Sequence, residues 1–466
     1  MICRVVFFTC AFAAAAYAQD RTMPPVAEQQ LARAIYKEMI EVNSGFTTGS
    51  TTPIANAVAA RLKAAGFAAA DIFVGGPNPK KHNVVVRYRG TGRRKPILLL
   101  AHTDVVEAKR EDWTMDPFIL NEKDGYFYGR GVGDDKAQAA IWIANLIRYK
   151  REGFKPDRDI IVALTADEEG GGPFNGVDWL IKNKRELIDA ELSLNEGGWG
   201  ESVNGTRVAN DVQVSEKWVV NYRLEVRNKG GHSSLPVKDN AIYHLAGALD
   251  RLSRFEFPMK INDVTREYFR AMSTIEKGPV TKDLAAVASG DAGAMARVAA
   301  GSTSWNATLR TTCVATLLEG GHASNALPQL AAATVNCRVL PEDSLGYVTS
   351  ALTRVINDTA VKLTVTGTPL AGPASPMRED LLTAVKTLTT SMWPGVSTVP
   401  MMVMGATDGR SLRIAGIPTY GVQGLFYDRD DIRFHGRDER LRIRSFYEGQ
   451  TFLYELVKRM SGAPTT

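Results

Sequence analysis

The spacing of apolar positions changes character along the chain. Residues 28–41 and 54–65 repeat their apolar side chains with a helical period, and Gly66 closes the second run. Residues 82–88, 96–101, 160–166 and 192–195 are instead short, nearly unbroken apolar runs, the pattern of strands covered on both faces. Such alternation predicts an α/β fold, a mainly parallel sheet with helices packed on it. Residues 219–226 then read as a half-buried strand and 241–254 as a helix, and 363–366 read as the last strand of this stretch. The Gly- and Pro-containing run 367–376 returns the chain to helix 381–392 and strand 417–422. A smaller domain over 212–369 is therefore expected to be inserted in a larger one made of 19–211 and 370–466. No repeat array or low-complexity tract interrupts this plan.

The N-terminus is set apart from it. Arg4 precedes an apolar run from Val5 to Ala18 that ends Ala16-Tyr17-Ala18, too short to span a bilayer and closed like a signal-peptidase site. Residues 1–18 are expected to be a cleaved secretory signal, which points to a periplasmic or secreted protein with no membrane association afterwards. Cleavage would remove Cys3 and Cys10 and leave Cys313 and Cys337, either as one bridge or as two unpaired buried thiols.

Length and charge narrow the function. At 466 residues the chain exceeds one ordinary core, consistent with two domains. Its net charge of +5 comes with no Lys/Arg run, so nucleic acid is not an expected partner.

Four polar clusters follow predicted strands or a glycine turn: His102-Thr103-Asp104, Asp134-Asp135-Lys136, Asp167-Glu168-Glu169 and Glu196-Gly197-Gly198. Each alone is an ordinary loop. Open parallel sheets, however, gather ligand sites at the carboxyl ends of their strands, so these loops can converge. With His435 in a polar loop near the C-terminus, they supply a mixed nitrogen and oxygen set suited to zinc or a similar divalent ion. The Gly129-x-Gly131-x-Gly133 run lacks the spacing of a dinucleotide or P-loop cradle.

The strings AHTDVV, YGRGVGDDKA, TADEEGGG, LNEGG, GGHSSLP and FHGRDER, in this order, resemble the two-zinc aminoacylase/carboxypeptidase family. That family includes glutamate carboxypeptidase, carnosinase, aminoacylase and succinyl-diaminopimelate desuccinylase, and the likeness runs from about residue 30 to residue 457. It implies two divalent ions, with zinc the expected metal. By this resemblance His102, Asp134 and Glu196 hold one ion, and Asp134 bridges to a second held by Glu169 and His435. Asp104 orients His102, and Glu168 is the general base and later the acid. Zinc lowers the pKa of water from ~15.7 toward ~7, and two ions ~3.5–4 Å apart can hold a hydroxide and polarise a carbonyl together.

The inserted segment resembles the family's ferredoxin-like lid and dimerisation domain, which implies a homodimer. His232 resembles the histidine that steadies the oxyanion, often in the partner's site, with His322 in a second Gly-Gly-His as its rival. Asn325 and Arg338 match substrate-binding lid positions, the guanidinium suited to a carboxylate. Thr407 and Arg410 lie in another substrate-lining loop. The expected activity is hydrolysis of an amide beside a free C-terminal carboxylate in a short peptide, in the manner of a dipeptidase or carboxypeptidase. The alternative is an N-acyl-amino-acid amidohydrolase. A silent metal or peptide binder on the same fold would not need Glu168.

Overall fold

A computed structural model describes residues 20–462. The expected signal segment 1–18 lies outside them. Among the described residues no helix is long and apolar enough to cross a membrane.

The larger body is built on a ten-stranded sheet. Its centre is parallel: strands Ile160–Thr165, Ile97–His102, Leu192–Asn195 and Thr419–Gly421 lie side by side in that order. Antiparallel strands flank them, with Asn83–Tyr88 and Ile72–Gly75 on one side and Thr206–Glu216 on the other.

The unbroken apolar runs have a direct cause. In strand Ile97–His102, Ile97, Leu99 and Ala101 pack into one core while Leu98 and Leu100 pack into a second on the opposite face. Strand Ile160–Thr165 divides its residues the same way. The first core receives helix Val26–Ile40 through Ala32, Ile35, Tyr36 and Met39, a 3–4 spacing that makes one face. It also contains the almost wholly buried helix Lys136–Arg151 and the C-terminal helix Ile443–Met460. The second core is closed by Val177 and Leu180 of helix Gly176–Asn183 and by Leu412.

Strand Thr206–Glu216 runs on past Asp211 within this sheet, burying Val212 and Val214, and the chain leaves it at Lys217. It enters an antiparallel four-stranded sheet ordered Thr312–Gly320, Leu330–Val339, Trp218–Arg227, Lys362–Thr366. Helices Ala241–Ser253 and Leu345–Ile356 cover one face, over Trp218, Val220, Tyr222 and Leu224. The alternate residues Val219 and Asn221 are half-buried on the other face, which looks toward the larger body.

Cys313 and Cys337 are directly opposed on neighbouring strands, 4.0 Å apart at Cα, and form a disulfide. This decides between the bridged and unpaired alternatives. Between helix Ala241–Ser253 and strand Thr312–Gly320 four short helices spanning 263–309 form a cluster around Phe269, Leu284 and Leu309. Its helix Asp263–Ile275 docks on strand Ser397–Val403 of the large sheet.

Candidate active site

Because strands Ile160–Thr165, Ile97–His102 and Leu192–Asn195 are parallel neighbours, their carboxyl ends bring three of the polar clusters together. Helix Lys136–Arg151 starts just after Asp134-Asp135, whose peptide bond is cis, and delivers the fourth. The Glu196 turn needs its close glycine packing. A Cβ on Gly198 would come within 2.2 Å of the Gly421 carbonyl, and one on Gly421 within 2.2 Å of the Glu196 carbonyl.

Two donor groups result, His102 with Asp134 and Glu196, and Asp134 with Glu169 and His435, each with ligand atoms within 4.8 Å of one another. His102 Nε2 is 2.9 Å from Asp134 Oδ1 and 3.9 Å from Glu196 Oε1. His435 Nε2 is 3.1 Å from Asp134 Oδ2 and 3.0 Å from Glu169 Oε1. Asp134 thus turns one oxygen to each histidine.

The donor chemistry fits two divalent ions. His102 Nδ1 lies 3.0 Å from the Asp104 backbone carbonyl, which can only accept, so the proton sits on Nδ1 and the Nε2 lone pair faces the carboxylates. Lone pairs converging from nitrogen and oxygen need a cation between them, either a proton or a metal. The electrostatics reflect that need. Burial pushes the His102 pKa down, yet Asp134, Glu196 and Asp104 hold it well above its ordinary value. Hydrogen bonds to Asp134 and Glu169 raise His435 to about 10. Burial drives Glu196 and Glu168 upward, and neighbouring carboxylates add to both shifts.

Buried anchors set the geometry of the loops. Asp104 accepts backbone hydrogen bonds from Glu168 and Glu169, and Asp167, at a left-handed φ of +61°, pairs with buried Lys81 at 2.7 Å. Glu439 accepts from the backbone N–H of Gly131, Gly133 and Asp134 and from Arg130 Nη1 at 2.8 Å. Arg130 Nη2 in turn donates to the His435 carbonyl, so one carboxylate steadies both ends of the second group. Asp135 belongs to neither group; it is buried and accepts from Gln423 at 3.0 Å.

A cleft of about 550 Å³ lies between the two sheets. Glu168, Glu169 and His435 meet Val219, Asn221 and Arg338 across it. Thr407 and Arg410 also line it, but the Thr407 hydroxyl is directed inward, donating to Glu216 Oε2 at 2.8 Å and accepting from the Gly409 N–H. Asp408 lines the cleft as well and accepts from Thr165 and Asn175, and burial raises its pKa to about 6.

His232 and Asn325 are neighbours in a small exposed ribbon, Gly231–His232 paired with Ala326–Leu327, and neither lines this cleft. His322, exposed in the preceding loop, does not line it either. The sequence alone assigns no role to Glu439, Asn221, Asp408 or Glu216. Glu439 stands within the FHGRDER string and Asp408 within the expected substrate-lining loop of Thr407 and Arg410, whereas Asn221 and Glu216 carry no local signal, because topology alone brings them to the site.

Residues 98–459 match the model of peptidase family M20/M25/M40. The chain belongs to this family. Among its relatives, the probable carboxypeptidase S-like 2 of Dictyostelium discoideum is 29% identical over 393 residues, covering 81% of this chain and 74% of that protein. N-fatty-acyl-amino acid synthase/hydrolase PM20D1 of Xenopus tropicalis is 30% identical over 371 residues, covering 78% and 72%. The M20 family metallo-carboxypeptidase Sso-CP2 of Sulfolobus solfataricus shares the fold, with a TM-score of 0.69 at 16% identity over 92% of this chain and 98% of that one. As an M20 member carrying these donor groups, the chain is a metal-dependent hydrolase.

Proposed function

We propose that the protein is a secreted two-metal peptidase, a dipeptidase or carboxypeptidase, hydrolysing an amide bond next to a free C-terminal carboxylate. One observation carries this reading: Glu168, beside both donor groups, and Arg338, a guanidinium on the facing sheet, open onto the same cleft. His102, Asp134 and Glu196 would hold one ion, and Asp134, Glu169 and His435 the second, with zinc the expected metal from the nitrogen and oxygen donors. When bound, such ions supply Lewis acidity, acidifying water and polarising a carbonyl. Arg338 receives the carboxylate and fixes the amide near Glu168. Glu168 takes a proton from water and returns it to the departing amine, which leaves poorly unless protonated. Its raised pKa suits the second of these two transfers.

Likeness to PM20D1 favours the second reading, an N-acyl-amino-acid amidohydrolase using the same groups on an N-acyl amino acid. Secretion draws support from the Cys313–Cys337 disulfide, a bond that persists in oxidising compartments.

A homodimer is part of this proposal. Strand Thr312–Gly320 is the edge of its sheet and exposes Val314, Leu317 and Leu318, a surface that invites a partner. The Ser234 backbone N–H donates to His232 Nδ1, leaving Nε2–H as an outward donor suited to an oxyanion in a partner's cleft. Sedimentation should give twice the mass of the chain.

The reading is tested by capping the C-terminus of a hydrolysed dipeptide as its amide. Capping should lower kcat/KM at least about tenfold, and Arg338→Ala should erase most of the difference, since a half-buried guanidinium left without its carboxylate is costly. Equal hydrolysis of acid and amide by the native enzyme refutes it.

A further inference from the structure

The cleft walls carry two guanidinium groups, one more than a single substrate carboxylate requires, beside the carboxylates of Glu168, Glu169, Asp178 and Asp408. Arg338 and Arg410 are the two guanidinium groups on its walls. Neither has a carboxylate oxygen within 4.0 Å among the described residues. Buried arginines elsewhere in the chain are matched: Arg130 with Glu439, and Arg413, in the same helix as Arg410, with Glu216. Arg410 Nε is buried without a hydrogen-bond partner, as are Nε of Arg130 and Arg413, so what sets Arg410 apart is the missing carboxylate. No carboxylate near Arg410 forms an ion pair with it: Asp408 accepts from Asn175 and Thr165, Glu216 is held by Thr407 and Arg413, and Asp178 on the cleft wall makes no contact within 4.0 Å of it.

The two cations stand on different walls. Arg338 projects from the smaller sheet opposite Val219 in register, with Asn221 two residues along on the same face. Asn221 Oδ1 is taken by the Asn336 amide at 2.7 Å, so Asn221 has its own N–H groups to donate. Arg410 belongs to the helix Gly409–Ile414 of the larger body. A single carboxylate bound by Arg338 and Asn221 would leave Arg410 uncompensated in a half-enclosed cleft, which is unfavourable.

We propose that the preferred substrates carry two carboxylates, one received by Arg338 with Asn221 and the other by Arg410. This rests on the amide-hydrolase reading above. The second carboxylate sits either on the side chain of the residue bearing the first or at the far end of the acyl group.

The test uses the full chain loaded with zinc and two matched pairs, Gly-Glu against Gly-Gln and N-succinyl-alanine against its terminal amide. In at least one pair the acid should exceed its amide about tenfold or more in kcat/KM, because a site built around a fixed charge rejects the uncharged isostere. Arg410→Gln should bring that ratio near one, Arg410→Lys should retain part of it, and Arg338→Gln should lower both members without abolishing it. Thermal melts check that each variant is folded. Ratios near one for both pairs in the native enzyme, or a ratio that survives Arg410→Gln, overturn the proposal while hydrolysis of Gly-Gln keeps the parent reading intact. If none of the four compounds is hydrolysed, the parent reading fails. Calorimetry of glutarate against glutaramate then decides: Arg410-dependent preference for glutarate supports the two-carboxylate site, and equal binding overturns it.

Discussion

Asp104 Oδ1 accepts a hydrogen bond from the backbone N–H of Glu168 at 3.1 Å, and its second oxygen accepts from Glu169 at the same distance. The same carboxylate lies 3.7 Å from His102 Nδ1, whereas the histidine's hydrogen bond goes to the Asp104 carbonyl at 3.0 Å. Resemblance alone assigns the orienting of His102 to Asp104 as a whole. In the structure two parts of the residue act separately. The backbone oxygen fixes the imidazole tautomer, and the side chain holds the turn presenting both the base and a metal ligand.

Asp104→Asn replaces one acceptor oxygen with a donor facing an N–H. The turn should lose a hydrogen bond and gain a repulsion, at a cost of about 1–3 kcal/mol. The amides of Glu168 and Glu169 should exchange with solvent faster and kcat should fall, while the tautomer of His102 persists. Unchanged exchange at both amides would show that the turn is held by other contacts.

Glu439→Gln should act on metal affinity through a side chain that touches no ion. Its carboxylate collects three backbone N–H groups and Arg130, and an amide nitrogen cannot accept. Loss of an outer anchor of this kind typically costs ~10- to 100-fold in metal affinity. Competition against a calibrated chelator measures it; native affinity in Glu439→Gln contradicts the role.

The Cys313–Cys337 bridge ties an exposed edge strand to its neighbour across a sequence separation of 24. Closing a loop of this length should contribute about 3 kcal/mol. In Cys313→Ser/Cys337→Ser, hydrogen exchange along strand Thr312–Gly320 should speed up more than in the central strand Ile97–His102. Equal acceleration in both would mean that the bridge supports the whole molecule and not the edge.

The fold was most legible where burial on two faces left unbroken apolar runs, as at Ile97–His102 and Ile160–Thr165, since each strand serves two cores. The site was legible at the strand ends, where His102, Glu169 and Glu196 stand beside runs that must be parallel neighbours. Asp134 was separable from Asp135 only through resemblance, because the two carboxylates are adjacent and which of them joins the donor groups depends on the fold. Asn221 was hidden for a related reason. Its role comes from pairing beside Asn336 and from facing the cleft, and neither leaves a mark in the local sequence. The bridge between Cys313 and Cys337 likewise depended on strand register.

The proposed mechanism turns on Glu168 moving the proton while other residues hold the metal, and Glu168→Gln tests it most directly. Turnover of a hydrolysed dipeptide and metal content should be measured on the same sample. The variant is predicted to keep about two ions per chain, as in the native protein, with kcat reduced ~100- to 10,000-fold or more, because one group serves as both base and acid. A variant with full metal content and near-native kcat would contradict it.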